Sequence, residues 1–150
     1  MRVYLVIMDE TTEAQVALHF AARRAAKTEG AVHIIAHVPP QAFSAFGGIQ
    51  ATIEAEARDR AEVIATGAAG SILVENGKMP TISVRVGEGV KVVQEYLAEH
   101  PEVAALVLGA AAEGNPGPLV THFTAAAGSL PCPVFVIPGG LTQNDLDRLS

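Results

Sequence analysis

Residues 3–9 read Val-Tyr-Leu-Val-Ile-Met-Asp, an uninterrupted apolar run that ends on a carboxylate. A strand with one face in water alternates apolar and polar residues, whereas a strand of a parallel sheet is covered on both faces and stays apolar throughout. The run from Val3 to Met8 therefore predicts a strand buried on both faces, with Asp9 directly after its carboxyl end.

Outward from this strand, the chain alternates between helical and strand patterns. Helices are predicted at 12–28, 49–73, 90–99 and 118–128, and strands at 31–38, 80–86, 104–108 and 134–137. Alternation with short connections predicts a three-layer α/β fold, in which helices cover both faces of an open parallel five-stranded sheet. Residues 1–150 are interpreted as a single domain, with 139–150 as a polar tail that contains a helical turn at 143–149.

Local signals indicate where the first helix begins and ends. Thr12 and Gln15 have the spacing of a capping box, in which each side chain satisfies a free backbone N–H at a helix start. Gly30 is the usual kind of residue just past a helix end. We therefore expect a helix between these two signals.

The composition excludes several classes of partner. The chain has 150 residues and a net charge of −6, whereas nucleic-acid-binding proteins need a basic face. Cys132 is the only cysteine, which excludes an intramolecular disulfide and favours a reducing compartment. No apolar run reaches the roughly 20 residues of a membrane span, and no signal peptide is evident. We therefore expect a cytoplasmic protein with no nucleic-acid or membrane partner.

A ligand is expected beyond the carboxyl ends of the strands, because open parallel sheets bind ligands where the strand order reverses. Three segments follow strand ends in this sequence and are candidates to meet there. They are Met8-Asp9, His37-Val38 and the loop 109–117.

The loop after the fourth predicted strand is rich in glycine. Gly109, Gly114 and Gly117 allow close backbone approach to a ligand, and the following helix start offers free N–H groups to an anion. Thr121 adds a hydroxyl, whereas Glu113 adds an unfavourable negative charge. The same composition also suits a tight surface loop, so both interpretations stay open.

Single polar residues near the expected ligand side have two interpretations each. Asp9 is either a cap for the next helix or a polar contact to a nucleotide or to its metal ion. His37 and His122 lie near the same side, but no spacing resembles a zinc site, and no metal ligand is predicted. Cys132 is interpreted as a small buried apolar group, with a reactive thiol as the alternative.

No catalytic residue is predicted. The serines lack a nucleophile-elbow context, and the P-loop spacing is absent. A Gly-x-Gly-x-x-Gly motif after the first strand, which an NAD-binding domain would carry, is also absent.

Three features together match a known family. They are the opening strand that ends in Asp9, the second strand that ends in His37-Val38, and the pattern Leu108-Gly109 … Pro131-Cys132-Pro133-Val134 … Val136. On these features the chain resembles the universal stress protein family over nearly its whole length. The resemblance implies the strand order 3-2-1-4-5, which is the Rossmann-like adenine nucleotide alpha hydrolase-like fold.

The resemblance also implies a function. It implies a stress-response regulatory protein that binds ATP or another adenine nucleotide with Mg, as one group of the family does, and that forms homodimers through the last strands of two subunits. Asp9 and Val38 match adenosine-side positions, and Gly109, Gly114, Gly117 and Thr121 are the candidates for the phosphate side. ATP hydrolysis would be at most slow and incidental, since the loop offers no Lys, Arg or positioned base.

The phosphate-binding signature is degraded in this chain. ATP-binding members carry Gly, two residues, Gly, nine residues, then Gly and Ser or Thr. Counted from Gly109, these positions hold Ala112, His122 and Phe123. The alternative is therefore a dimeric interaction module of the same family that binds no nucleotide, with Phe43 and Phe46 as a contact patch for a protein partner.

Overall fold

The computed structural model describes residues 1–40 and 47–150 of the chain. The elements, in chain order, are β1 (Val3–Met8), α1 (Thr12–Thr28), β2 (Ala31–Val38), α2 (Gly47–Asn76), β3 (Thr81–Val86), α3 (Gly89–Glu99), β4 (Val103–Ala110), α4 (Pro118–Ala125), β5 (Val134–Pro138) and α5 (Gln143–Leu149). The expected contact patch of Phe43 and Phe46 lies outside the described residues.

The strands form one parallel sheet in the order β3-β2-β1-β4-β5. This confirms the predicted fold class and the strand order that the family resemblance implies. All six residues of β1 are buried, as expected for the central strand of a sheet that is covered on both faces.

The two faces of β1 pack into two separate cores. Tyr4, Val6 and Met8 pack with residues of α1, α2 and α5. Val3, Leu5 and Ile7 pack with residues of α3 and α4. The strict alternation along β1 shows that helices form a layer on each side of the sheet.

Helix α1 has the predicted bounds, but its capping residues differ from the prediction. Thr11, not Thr12, is the N-terminal cap, and its hydroxyl accepts a hydrogen bond from the Ala14 N–H at 3.2 Å. At the other end Glu29, with φ 55°, adopts the left-handed conformation. Gly30 is required for another reason, because a Cβ there would lie 2.4 Å from the Arg2 carbonyl oxygen.

Helix α2 runs further than expected, to Asn76 rather than to about residue 73. Gly77, with φ 73°, ends it, and its N–H bonds to the Leu73 carbonyl at 2.9 Å. Gly67 and Gly70 do not end the helix, because a buried stripe on its inner side packs against the sheet. This stripe contains Ala57, Ala61, Ala65, Ala68, Ala69 and Ile72.

Smaller corrections concern β4, α4 and the tail. Strand β4 extends to Ala110, and α4 ends at Ala125 before a short 3-10 turn at Ala127–Ser129. The tail does form the expected helix, α5, and Leu146 on it is only 2% exposed. The tail is therefore packed against the core and is not only a polar extension.

An aromatic and histidine cluster fills the space between β2 and α3. His33 Nδ1 lies 2.8 Å from the Tyr96 hydroxyl, and the His100 ring stacks on Tyr96 with centroids 3.9 Å apart. Burial lowers the pKa of His33 from its ordinary value of 6.5, and the nearby His100 lowers it further, while Glu102 acts in the opposite direction. The folded protein therefore favours neutral His33.

We expect the free energy of unfolding to decrease as the pH falls below 6.5, because the unfolded chain binds a proton at His33 more readily than the folded protein. This contribution is fully present above the ordinary pKa and is lost as the pH falls towards the depressed pKa of the folded state. Urea denaturation at about one pH unit above and about one below 6.5 measures this change in the free energy of unfolding. The variant His33→Gln should show a smaller pH dependence, and an equal dependence in both proteins would contradict the assignment.

Candidate functional site

A cleft of about 450 Å³ lies at the carboxyl edge of the sheet, between the ends of β1 and β4. The chain leaves β1 towards α1 on one face and leaves β4 towards α4 on the other. The cleft therefore lies at the point where the connections diverge, which is where open α/β sheets bind ligands. Its volume is within the range of small-molecule sites, roughly 300–1,000 Å³.

Four of the residues singled out in the sequence meet at this cleft, namely Asp9, His37, Gly109 and Gly117. Val38 does not line it. The Val38 side chain is buried, its carbonyl accepts a hydrogen bond from the Gly87 N–H at 3.0 Å, and the residue borders a neighbouring depression of about 360 Å³ that also contains Asp9.

The other two predicted phosphate-side residues lie away from the cleft. Gly114 is exposed in the loop after β4, with φ 73°. The Thr121 hydroxyl donates a hydrogen bond to the Gly117 carbonyl at 3.0 Å, and its side chain borders a shallow surface depression beside His122. Thr121 therefore faces outward from α4.

Asp9 organises the turn between β1 and α1. Its Oδ1 accepts hydrogen bonds from the Thr11 N–H at 2.9 Å and from the Thr11 hydroxyl at 2.5 Å. Thr11 in turn caps α1 through Ala14. Asp9 thus supports the cap indirectly, and the exposed residue also lines the cleft, where its contact to a nucleotide stays a prediction.

Gly109 is required by packing. A Cβ on this residue would lie 2.1 Å from the Glu13 carbonyl oxygen, which is backbone and cannot rotate away. A Cβ on Gly139 would likewise lie 2.8 Å from the Glu13 Cβ. The first turn of α1 therefore rests directly on the ends of β4 and β5, and Glu13 lines the cleft beside Gly109.

Helices α3 and α4 both begin at the cleft. Their cap residues, Glu88 and Gly117, make no side-chain capping hydrogen bond. The first-turn residues Gly89 and Val90 of α3, and Leu119 and Val120 of α4, line the cleft. Free N–H groups and the positive end of the helix dipole at two such termini favour an anionic ligand.

His37 lies beneath these two helix starts. Its Nε2 is 2.7 Å from the Gly87 carbonyl oxygen, so an Nε2–H donates to that carbonyl. A Cβ on Gly89 would lie 3.4 Å from His37 Cε1 and 3.2 Å from Leu119 Cδ2. The absence of a side chain at Gly89 therefore lets α3 and α4 converge over the imidazole.

The side-chain charges at the cleft are negative. Asp9, Glu13 and Glu88 line it, and Lys and Arg are missing from its lining among the described residues. Glu113, the acidic residue that the sequence placed in the phosphate loop, is exposed and does not line the cleft. Sequence reasoning missed Glu13 because an acidic residue in a first helical turn is explained by the helix dipole alone.

Possible metal ligands, the Cys132 thiol and the length of the helices were also compared with what their functions require. Residues 1–40 and 47–150 contain no group of three or more His, Cys, Asp or Glu side chains placed to hold a metal ion. Burial raises the pKa of the Cys132 thiol above its ordinary value of 9.0, which favours the unreactive protonated form. Within the same ranges, no helix has the length and apolar character needed to cross a membrane.

The comparisons with known proteins point to a single protein family. The model of the universal stress protein family matches residues 1–138, and no curated protein gives a significant match. The universal stress protein UspA from Lactobacillus plantarum is 19% identical, with a TM-score of 0.73 over 91% of this chain and 97% of that chain.

Two further similar structures contain nucleotides. A universal stress protein in complex with cAMP is 14% identical, with a TM-score of 0.59 over 91% of this chain and 96% of that one. The universal stress protein from Archaeoglobus fulgidus in complex with dAMP is 17% identical, with a TM-score of 0.54 over 91% and 97% of the two chains.

We expect Gly109→Ala to lower the free energy of unfolding by about 1–3 kcal/mol, as overpacking typically does, because the new methyl group would overlap the Glu13 carbonyl. Chemical denaturation measures the change. Gly70→Ala is the matched control, since nothing lies within 4 Å of its Cβ position and alanine should stabilise α2 by about 1 kcal/mol. A neutral Gly109→Ala would show that α1 does not rest on this strand end.

Proposed function

The chain belongs to the universal stress protein family, and on this premise we propose that it binds an adenine nucleotide in the cleft at the carboxyl edge of its sheet. The observation that carries the proposal is that two helix starts without side-chain caps, those of α3 and α4, open into one cleft of about 450 Å³. The cAMP and dAMP complexes of structurally similar universal stress proteins support the choice of an adenine nucleotide.

In the proposed arrangement the phosphate lies against the free N–H groups of α4 and α3, next to Gly117. The nucleoside extends towards Asp9, His37 and the adjoining depression bordered by Val38. Val38 would contribute its backbone, and its carbonyl can accept a second hydrogen bond beside the one from Gly87. Gly114 and Thr121 lie outside this arrangement.

The proposed role is regulatory binding in the stress response, not turnover. Phosphoryl transfer needs cationic groups that stabilise charge in the transition state, and the described residues of the cleft include no Lys or Arg. Mg²⁺ would arrive with the nucleotide, since its phosphates supply oxygen ligands. ATP hydrolysis would therefore be slow and incidental.

We expect AMP, cAMP or Mg-ATP at millimolar concentration to raise the melting temperature, because a ligand that binds only the folded state stabilises it. Glu88→Asp should reduce the increase. An aspartate at the cap position of α3 can accept hydrogen bonds from the free N–H groups and would compete with the phosphate at unchanged net charge. Differential scanning fluorimetry with calorimetry measures both effects.

The matched control is Glu95→Asp, an exposed position further along the same helix and outside the cleft. Its ligand response should equal that of the wild-type protein. The nucleotide proposal is wrong if none of the three ligands shifts the melting temperature of the wild-type chain.

We also propose that two chains associate along β5. Among the strands that the structure describes, β5 pairs only with β4, so the backbone groups on its outer edge are available to another strand. Val136 on β5 is 38% exposed, although it lies in the middle of an apolar strand. A homodimer would cover this edge and would also serve the alternative role of an interaction module.

Val136→Lys should shift the chain towards the monomer, because a lysine on an edge strand opposes pairing. Size-exclusion chromatography with light scattering over a range of concentrations measures the association. Val63→Lys is the control, since Val63 is 73% exposed on α2, which packs beside β2 and β3. A wild-type protein that stays monomeric, or a dimer unaffected by Val136→Lys, would contradict the proposal.

A further inference from the structure

We infer that the cleft selects nucleotides of low negative charge, a cyclic or single-phosphate nucleotide over a triphosphate, and that Glu13 is the residue that determines this specificity. The inference rests on the proposed function, because it concerns which nucleotide enters the same cleft. It depends on where the fold holds the Glu13 side chain and on the balance of charges around it.

Glu13 is held in place by the backbone. Its carbonyl oxygen and Cβ occupy the space above Gly109, and its Cβ also occupies the space above Gly139. Glu13 belongs to the first turn of α1, which is anchored by the Thr11 cap. Glu13 is half-buried and lines the cleft, and the start of the helix fixes the position of its Cβ.

This position is on the phosphate side of the proposed site. Gly109, the one residue that matches the phosphate-binding signature at its first position, lies directly beneath Glu13. Glu13 therefore brings a negatively charged side chain to the strand end at which the proposed site would hold a chain of phosphates. Two like charges about 4 Å apart repel by about 1 kcal/mol in bulk water, and by more where water is partly excluded.

The cleft offers little positive charge to a ligand. Two helix starts each contribute about half of an elementary charge, and together they match roughly one negative charge on a ligand. Asp9, Glu13 and Glu88 oppose them, without Lys or Arg among the described residues of the lining. A cyclic phosphate diester carries a single negative charge, whereas every further phosphate adds charge that nothing in this lining compensates.

Apolar groups make up the remaining walls. Ile7, Leu108, Leu119 and Val120 line the cleft. Apolar walls with a few oriented polar groups are typical of small-molecule sites, and they suit a base and a sugar better than a hydrated polyphosphate. The apolar walls and the negative side-chain charges of the cleft therefore both favour a nucleotide with few phosphates.

The test compares cAMP, AMP and ATP, each with and without Mg²⁺, by calorimetry on the full chain at low ionic strength. In the wild-type protein we expect cAMP to bind tightest and ATP weakest. Glu13→Gln should raise the affinity for ATP roughly threefold to tenfold more than the affinity for cAMP, since it removes one repelling charge. Glu95→Gln, which removes an exposed charge outside the cleft, should leave the ratio unchanged.

Ionic strength gives a second measurement. Raising the salt concentration screens repulsion between exposed charges. The difference in affinity between cAMP and ATP should therefore decrease in the wild-type protein and change less in Glu13→Gln. A merely structural role for Glu13 would alter stability without altering this selectivity, and denaturation of the same variants separates the two effects.

The outcomes distinguish the inference from the function on which it rests. Wild-type protein that binds ATP or Mg-ATP as tightly as cAMP would overturn the charge selection while leaving nucleotide binding intact. An unchanged affinity ratio in Glu13→Gln would overturn the role of Glu13. If no nucleotide binds at all, the proposed function fails and this inference fails with it.

Discussion

Glu13 lies against the ends of β4 and β5, where its carbonyl oxygen leaves no room for a side chain on Gly109 and its Cβ crowds Gly139. This close approach brings the start of α1 onto the carboxyl edge of the sheet, beside the ends of the strands that form the cleft. It therefore sets the position of Asp9, which organises the turn before the helix, and of Glu13, which follows it. A larger residue at Gly109 would push the helix outward and change the shape of the whole site.

The same cleft contains two opposing electrostatic elements. Backbone N–H groups at the starts of α3 and α4 attract an anion, while three carboxylates, those of Asp9, Glu13 and Glu88, repel one. Backbone donors act over short distances and have a fixed direction, so they favour binding of a single well-placed phosphate. In the proposed arrangement the carboxylates would limit the total negative charge of the ligand, so that a nucleotide-sized cleft would function without the usual phosphate signature.

Prediction from the sequence was most reliable where the signal was local. The apolar run Val3–Met8 indicated a doubly buried strand, and all six of its residues are buried. Capping residues were predicted less accurately, because the cap of α1 is Thr11 rather than Thr12 and α2 continues until Gly77 ends it. Several nearby residues can supply the same capping chemistry, and the choice among them depends on how the helix packs.

The sequence by itself determined the number of strands, the burial of the central strand and the edge of the sheet at which a cleft lies, since apolar periodicity and Gly or Pro punctuation are encoded within short segments. Only the tertiary structure decided that Glu13 and Glu88 join Asp9 in the cleft lining while Glu113 does not, and why residue 109 must be glycine. Both depend on distances between backbone atoms of α1 and β4, which lie far apart in the chain. Such distances follow from the packing of helix against sheet and leave no local pattern in the sequence.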